Sequence, residues 1–239
     1  MNNDNMSYFN EQQTKSVDVT GLSGFFRRMY RYMALALLVS GLTAYITATK
    51  FPQVMEALAF NRFMFYGLVI FELILVILVN TKAMRNALTA LPLLVLFAVV
   101  NGLTMSFIFA IYAGASILGA FAGAAAIFVG MSAYGYFTKR NMAGLGTHLF
   151  GLLIGLIVAS VVNIFLHNSV VTLVLSWASV VIFTLLSAYD TNKMKHLYLE
   201  FGNQANETGL AVSGALTLYL DFINIFLSLL QIFGGSNRD

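Results

Sequence analysis

Ten acidic residues occur in the 239-residue chain, and three of them stand among apolar neighbours. Glu72 lies within FMFYGLVIFELILVILV, Asp221 within ALTLYLDFINIFLSLL, and Asp190 closes VIFTLLSAYD. An ionised carboxylate at the centre of a membrane helix costs at least about 2.5–3.5 kcal/mol, so such a group must be neutral, paired or exposed to a water-filled cavity. No lysine or arginine lies within these apolar runs to neutralise the acids. Two routes remain: a proton shared between neighbouring carboxylates, or a cation taken from solution. Two carboxylates held close together cannot both ionise cheaply. Once deprotonated, the same pair is a hard oxygen site suited to calcium. Proton and metal then compete for it.

A plainer role stands beside this one for each acid. Asp221 could do no more than hydrogen-bond to a neighbouring helix. Asp190, at the end of a run, could reach the headgroups or cap the loop that follows. Glu72 reads first as a structural group and second as a pathway residue. Asn101, Asn163, Asn224 and Gln231 read as interhelical hydrogen-bonding residues. His148, His167 and His196 have no partners at metal-ligand spacing. The chain has no cysteine, which excludes a disulfide framework, a thiolate metal site and a cysteine nucleophile.

The elements that must position these acids follow from composition. Hydrophobic residues make up 59% of the chain and charged residues 10%, against roughly 45–50% and about 25% in a soluble domain. Such a chain is an all-α integral membrane protein. Seven apolar runs, at 30–49, 63–80, 88–112, 115–137, 144–166, 169–190 and 209–233, match the roughly 17–25 residues that a spanning helix needs. They are too long and too little alternating for barrel strands, and hydrocarbon leaves backbone groups no other partner than a helix. Residues 1–24 form a polar, flexible tail, residues 25–235 the transmembrane domain, and residues 236–239 a short tail.

Basic residues set the orientation. With the amino terminus inside, Lys15, Arg27, Arg28, Arg31, Lys82, Arg85, Lys139, Arg140, Lys193 and Lys195 all fall on the cytoplasmic side, and only Lys50, Arg62 and Arg238 on the other. Basic residues are retained inside, so the amino terminus is expected in the cytoplasm and the carboxyl terminus outside. GAFAGAAAIFVG in the fourth run and GLLIG in the fifth are expected to bring helix backbones together. Asp221 lies about 12 residues into the seventh run, roughly 18 Å along a straight helix. Asp190, just ahead of Lys193, Lys195 and His196, is expected nearer the cytoplasmic mouth. The two acids meet only if the last helix starts outside the membrane or is tilted, or if Asp190 is recessed.

At these residues the chain resembles the Bax inhibitor-1 family, also called the transmembrane Bax inhibitor motif family, in its bacterial branch. The resemblance runs from about Phe25 to Phe233. It is carried by SAYDTNKMK around Asp190, LTLYLDFINIFLSLLQIFGG around Asp221 and RRMYRYMALALLVSGLTAY in the first run. It implies a seven-helix fold with the last helix central, surrounded by the other six, in the bacterial cytoplasmic (inner) membrane. It also implies a pH-sensitive calcium leak governed by an aspartate pair, here Asp190 and Asp221, acting as proton sensor and metal ligands. A basic residue of the second span assists in the family. This sequence has none inside that span, so Lys82 or Arg85 at its end would serve as the clamp. Calcium is then the permeant or bound ion, with no resident cofactor.

Other functions remain open on the sequence. An intramembrane aspartyl protease would need its second aspartate in a G-x-G-D turn, and Leu218-Tyr219-Leu220-Asp221 does not supply one, so the chain is not expected to be an enzyme. A nucleotide-driven pump would need a phosphate-binding loop, and none is present. A proton/cation exchanger would use the same acids. Some bacterial relatives are linked to a membrane-bound ATP-dependent protease as substrates or modulators, which makes such a protease a candidate partner. The small net charge of +3 gives no reason to expect nucleic acid.

Overall fold

A computed structural model describes residues 3–85, 87–201 and 207–235. They form eight helices: α1 (Asn3–Lys50), α2 (Pro52–Phe60), α3 (Arg62–Arg85), α4 (Ala87–Ile111), α5 (Gly114–Phe137), α6 (Ala143–Leu166), α7 (Ser169–Phe201) and α8 (Glu207–Gly235). No strand occurs among the described residues. Seven of the helices are long and apolar enough to cross a membrane, α1 contributing residues 21–50. The exception is α2, a short helix inside a segment that the apolar pattern leaves as a break; Pro52 stands in its first turn, where a missing N–H costs nothing. The polar amino-terminal segment, expected to be a flexible tail, is helical from Asn3 and continuous with the first span. The expected tail at 236–239 lies outside the described residues.

The α6–α7 turn is short and made by identifiable groups. His167 ends α6 in the left-handed conformation, with φ 50°, and its N–H bonds the Asn163 carbonyl at 2.9 Å. Asn168 then opens α7: its Oδ1 accepts from the N–H groups of Val170 at 2.9 Å and Val171 at 3.2 Å. Those amides have no partner inside the helix, which is why an asparagine suits that position.

The last helix is the centre of the bundle. In its apolar window 61% of residues are buried, against 6% for α6. Ala211, Val212, Ala215, Leu216, Leu218, Tyr219 and Ile225 are fully enclosed, so α8 is buried on more than one face, as a core helix must be. Edge-to-face ring pairs tie it to its neighbours: Phe97 of α4 with Tyr219 at 5.5 Å, and Phe128 of α5 with Phe222 at 5.8 Å. The expected ring of six helices around it is not complete. Helix α8 packs on α1, α3, α4, α5 and α7, whereas α6 packs closely on α7 alone. A side of α8 is thereby left facing a cavity instead of a helix.

Helix α7 differs most from the apolar pattern. It does not end at Asp190 but runs eleven residues further, to Phe201. Thr191, Asn192, Met194 and Tyr198 of this extension are buried. Asn192 Nδ2 donates to the Gly135 carbonyl at 3.2 Å, and its Oδ1 accepts from the N–H of Met142 at 3.2 Å. Lys195 Nζ donates to the carbonyls of Tyr136 at 2.9 Å and Thr138 at 3.2 Å. A lysine at a helix C-terminus satisfies otherwise unpaired carbonyls and suits the dipole. The extension therefore clamps the α5–α6 turn, and Asp190 is recessed within the helix.

Close approach falls only partly where expected: within the fourth run a Cβ on Gly123 would stand 3.2 Å from Leu229 of α8. Gly119, Gly130, Gly151 and Gly155 face open space, and Ala120 and Ala124 carry the buried face of α5. The tight places are Gly102, where a Cβ would stand 2.6 Å from the Ser40 carbonyl oxygen of α1, and Gly135, where it would meet the Ala188 backbone of α7. Gly102→Ala and Gly135→Ala should each lower stability by about 1–3 kcal/mol, the usual cost of overpacking. Gly151→Ala should be neutral or better. Denaturant titration of the three variants in detergent checks this; equal effects at all three positions would contradict the packing described.

Candidate functional site

Two hydrogen bonds fix the antiparallel register of α7 and α8. Ser176 Oγ donates to Gln231 Oε1 at 2.6 Å, and Ser228 Oγ donates to Ser179 Oγ at 2.7 Å. Stepping along both helices by the same number of residues sets Phe183 level with Asn224, Leu186 with Asp221, and Asp190 with Thr217. Gly214 against Met194 continues the same register. Asp190 and Asp221 are thus offset by four residues, one helical turn or about 6 Å of rise. The extension of α7 past Asp190 removes the depth mismatch between the two acids.

Both acids are enclosed, Asp190 being 8% and Asp221 4% exposed. Each is within electrostatic reach of the other. Both line one cavity of about 2010 Å³ between α6, α7 and α8. Asp221 Oδ2 is buried without a hydrogen-bond partner among the described residues. A carboxylate oxygen left bare inside a bundle is costly unless a proton, water or cation completes it. Thr217 and Asn224 lie one turn to either side of Asp221 on the cavity face of α8. Among the described residues no three His, Asp or Glu side chains gather, so a bound cation would have at most these two carboxylates plus neutral oxygens. Calcium accepts such mixed oxygen sets.

The positive charge beside the pair is not the expected one. Lys82 and Arg85 sit exposed in the last turn of α3 and do not line the cavity. Lys193, three residues beyond Asp190, does line it and acts electrostatically on Asp190. Its Nζ lies 5.9 Å from the centre of the Tyr189 ring. The i, i+3 spacing of Asp190 and Lys193 carries the signal, but it is hidden when the helix is assumed to end at the acid.

Glu72 faces elsewhere. Thr104 Oγ1 donates to its Oε1, and Asn101 Nδ2 donates to its Oε2 at 3.3 Å. Asn101 Oδ1 in turn accepts from the Tyr219 hydroxyl at 2.7 Å. On the same flank Ser213 Oγ donates to Asn80 Oδ1 at 2.7 Å. These groups tie α3 and α4 to α8 away from the cavity, so Glu72 is joined to a structural network and not to the acid pair. Of the four amides read as interhelical, Asn101, Asn163 and Gln231 bond across helices, Asn163 to Thr172 Oγ1 at 2.8 Å. Asn224 instead donates to the Leu220 carbonyl of its own helix at 2.7 Å.

A central polar-faced helix in a bundle of seven apolar spans, with two recessed acids on one cavity, defines an integral membrane protein built around an intramembrane polar site. The chain matches the family model described as inhibitor of apoptosis-promoting Bax1 over residues 22–238, and it belongs to the Bax inhibitor-1 family. It is 39% identical over 218 residues to an Escherichia coli K12 protein named inner membrane protein YbhL, covering 90% of this chain and 93% of that protein. An uncharacterized membrane protein of Streptococcus pyogenes serotype M1 is 40% identical over 218 residues, with 91% and 95% covered. Lactococcus lactis YrjE is 39% identical over 241 residues, with 99% and 100% covered.

Tyr219→Phe should leave Asn101 Oδ1 without its donor and cost about 0.5–2 kcal/mol, the range for interhelical bonds in bundles of this kind. Thermal unfolding in detergent measures it. No change in stability would mean that the Glu72 network does not hold α4 to α8.

Proposed function

We propose that the protein is a pH-sensitive cation leak of the bacterial cytoplasmic membrane, with calcium as its ion and Asp190 and Asp221 as proton sensor and ion ligands. The basic end of the bundle, with Arg28, Lys193 and Lys195, lies in the cytoplasm, in keeping with the positive-inside bias. What carries the reading is the unpartnered Asp221 oxygen in a cavity shared with Asp190. Family membership supports it.

The sign of the pH response follows from competition. Calcium needs the deprotonated oxygens, and a shared proton occupies the same place. Acidification therefore fills the pair with protons and lowers flux; alkalinisation frees it and raises flux. Lys193, which lines the cavity three residues beyond Asp190, takes the role of the expected clamp. Glu72 stabilises the flank of the bundle that does not move ions.

Vesicles containing the protein and a calcium-sensitive dye test this. Flux should fall as pH is lowered. Asp190→Ala with Asp221→Ala should change flux by roughly tenfold or more and remove its pH dependence, because ligand charge sets calcium binding. Unchanged flux and pH profile would refute the mechanism. Lys193→Gln should alter flux at fixed pH more than Lys82→Gln and Arg85→Gln combined; the reverse order would restore the α3 residues to the clamp.

A further inference from the structure

The cavity is not uniform along its length. On α8 its face carries Thr217, Asp221, Asn224, Ser228 and Gln231, spaced four, three, four and three residues apart, so one continuous polar stripe runs about 21 Å along the helix. The facing stripe of α7 is broken. Ser176 and Ser179 pair with Gln231 and Ser228, but the next two cavity-facing positions are Phe183 and Leu186, both 8% exposed. Only beyond them does α7 become polar again, at Asp190. In the half of the cavity next to the α6–α7 turn, hydroxyl and amide groups of α7 and α8 thus face each other within a wall that is otherwise apolar, with Leu156, Val161 and Ile164 on α6.

A second observation falls in the same half. Asn163 Oδ1 of α6 lines it and is buried without a hydrogen-bond partner among the described residues, while its amide nitrogen is engaged by Thr172. A bare amide oxygen in a roomy polar cavity calls for water or a cation. A lipid chain in the same place would leave this oxygen, and the second lone pairs of Ser179 and Gln231, unsatisfied.

We propose that the half of the cavity beside the α6–α7 turn is a hydrated antechamber that admits small cations onto neutral hydroxyl and amide oxygens, and that Phe183 and Leu186 are the apolar step between it and Asp190. Asp221, level with Leu186 and joined to the antechamber through Asn224, meets ions from that side. Asp190, level with Thr217 and followed by Lys193, meets the opposite end. Apolar side chains on an ion path offer a hydrated ion no partner and so form a barrier to it. This assignment rests on the leak pathway proposed above, since it supplies that pathway with one mouth and one barrier.

The chain lacks cysteine, so single cysteines can be placed without background. The probe is a cationic, membrane-impermeant methanethiosulfonate, whose sulfenyl sulfur the protein thiolate attacks to form a mixed disulfide, expelling methanesulfinate. His167→Cys in the α6–α7 turn and Arg140→Cys in the α5–α6 turn mark the two sides in reconstituted full-length protein. Ser228→Cys and Ser179→Cys should be labelled from the His167 side, about tenfold or more faster than Leu186→Cys, because the thiolate forms only where water reaches it. Adding Phe183→Ala should let the same reagent reach Leu186→Cys from that side. Silence of both serine positions from either side, labelling from the Arg140 side, or equal labelling of Leu186→Cys with Phe183 in place would overturn the assignment. Each variant is scored only as a monodisperse species, and Gln231→Cys repeats the test at a position whose side chain is already exposed. Labelling is read without calcium flux, so a dry antechamber and a failed leak are distinguishable results.

Discussion

Hydrocarbon offers polar groups nothing to bond with, and this constraint organises the whole molecule around the seam between α7 and α8. Ser176 with Gln231 and Ser179 with Ser228 satisfy one another there, fix the register, and so decide where the two aspartates sit. On its other flank Ser213 and Tyr219 of the central helix pair with Asn80 and Asn101, while Thr217 and Asn224 bond carbonyls of their own helix. Left over among the described residues are the Asp221 oxygen and the Asn163 oxygen, both on the cavity. Two bare oxygens on the same void, among described residues whose other buried side-chain polar atoms are paired, concentrate the unmet demand in that void.

Opposite the void, packing holds the architecture. Helix α1 lays a stripe of Phe25, Phe26, Met29, Met33, Ala36 and Ser40 against the core, while Gly102 lets α4 approach its backbone. Helix α6, docked on α7 alone, is the least constrained span. The void is thus bounded on one side by a helix that packs on a single neighbour and on the other by the core of the bundle. The barrier of Phe183 and Leu186 lies on α7, whose far end is held through Asn192 and Lys195 to the α5–α6 turn.

Much of this was legible before any coordinates. Seven spans follow from run length, because lipid demands apolar helices of about that length. The acids stand out because charge in an apolar run is rare and costly. The extension of α7 was not legible. Residues 191–201 are polar on average, and hydropathy reads them as a loop. Thr191, Asn192, Met194 and Tyr198 bury themselves against protein, not lipid, and a protein-facing helix needs no apolar run. The same blindness hid Lys193 and moved the clamp to Lys82 and Arg85. Glycine spacing misled for a related reason: small residues permit close approach, but which face meets a neighbour is decided by tertiary packing, so Gly151 and Gly155 look outward while the isolated Gly102 and Gly135 carry the contacts. Glu72 and Asp221 look alike in sequence. Only the partners across α4 separate the hydrogen-bonded acid from the bare one.

The claim at the centre is that Asp190 and Asp221 share one occupant, a proton or a cation. Infrared difference spectroscopy of the reconstituted protein measures this directly through the carboxyl stretch. At a fixed, mildly acidic pH, adding calcium should remove a protonated-carboxyl band, and that calcium-sensitive band should be missing from both Asp190→Asn and Asp221→Asn. A band that persists at saturating calcium, or that disappears in only one of the two variants, would show that the acids titrate independently and would contradict the account.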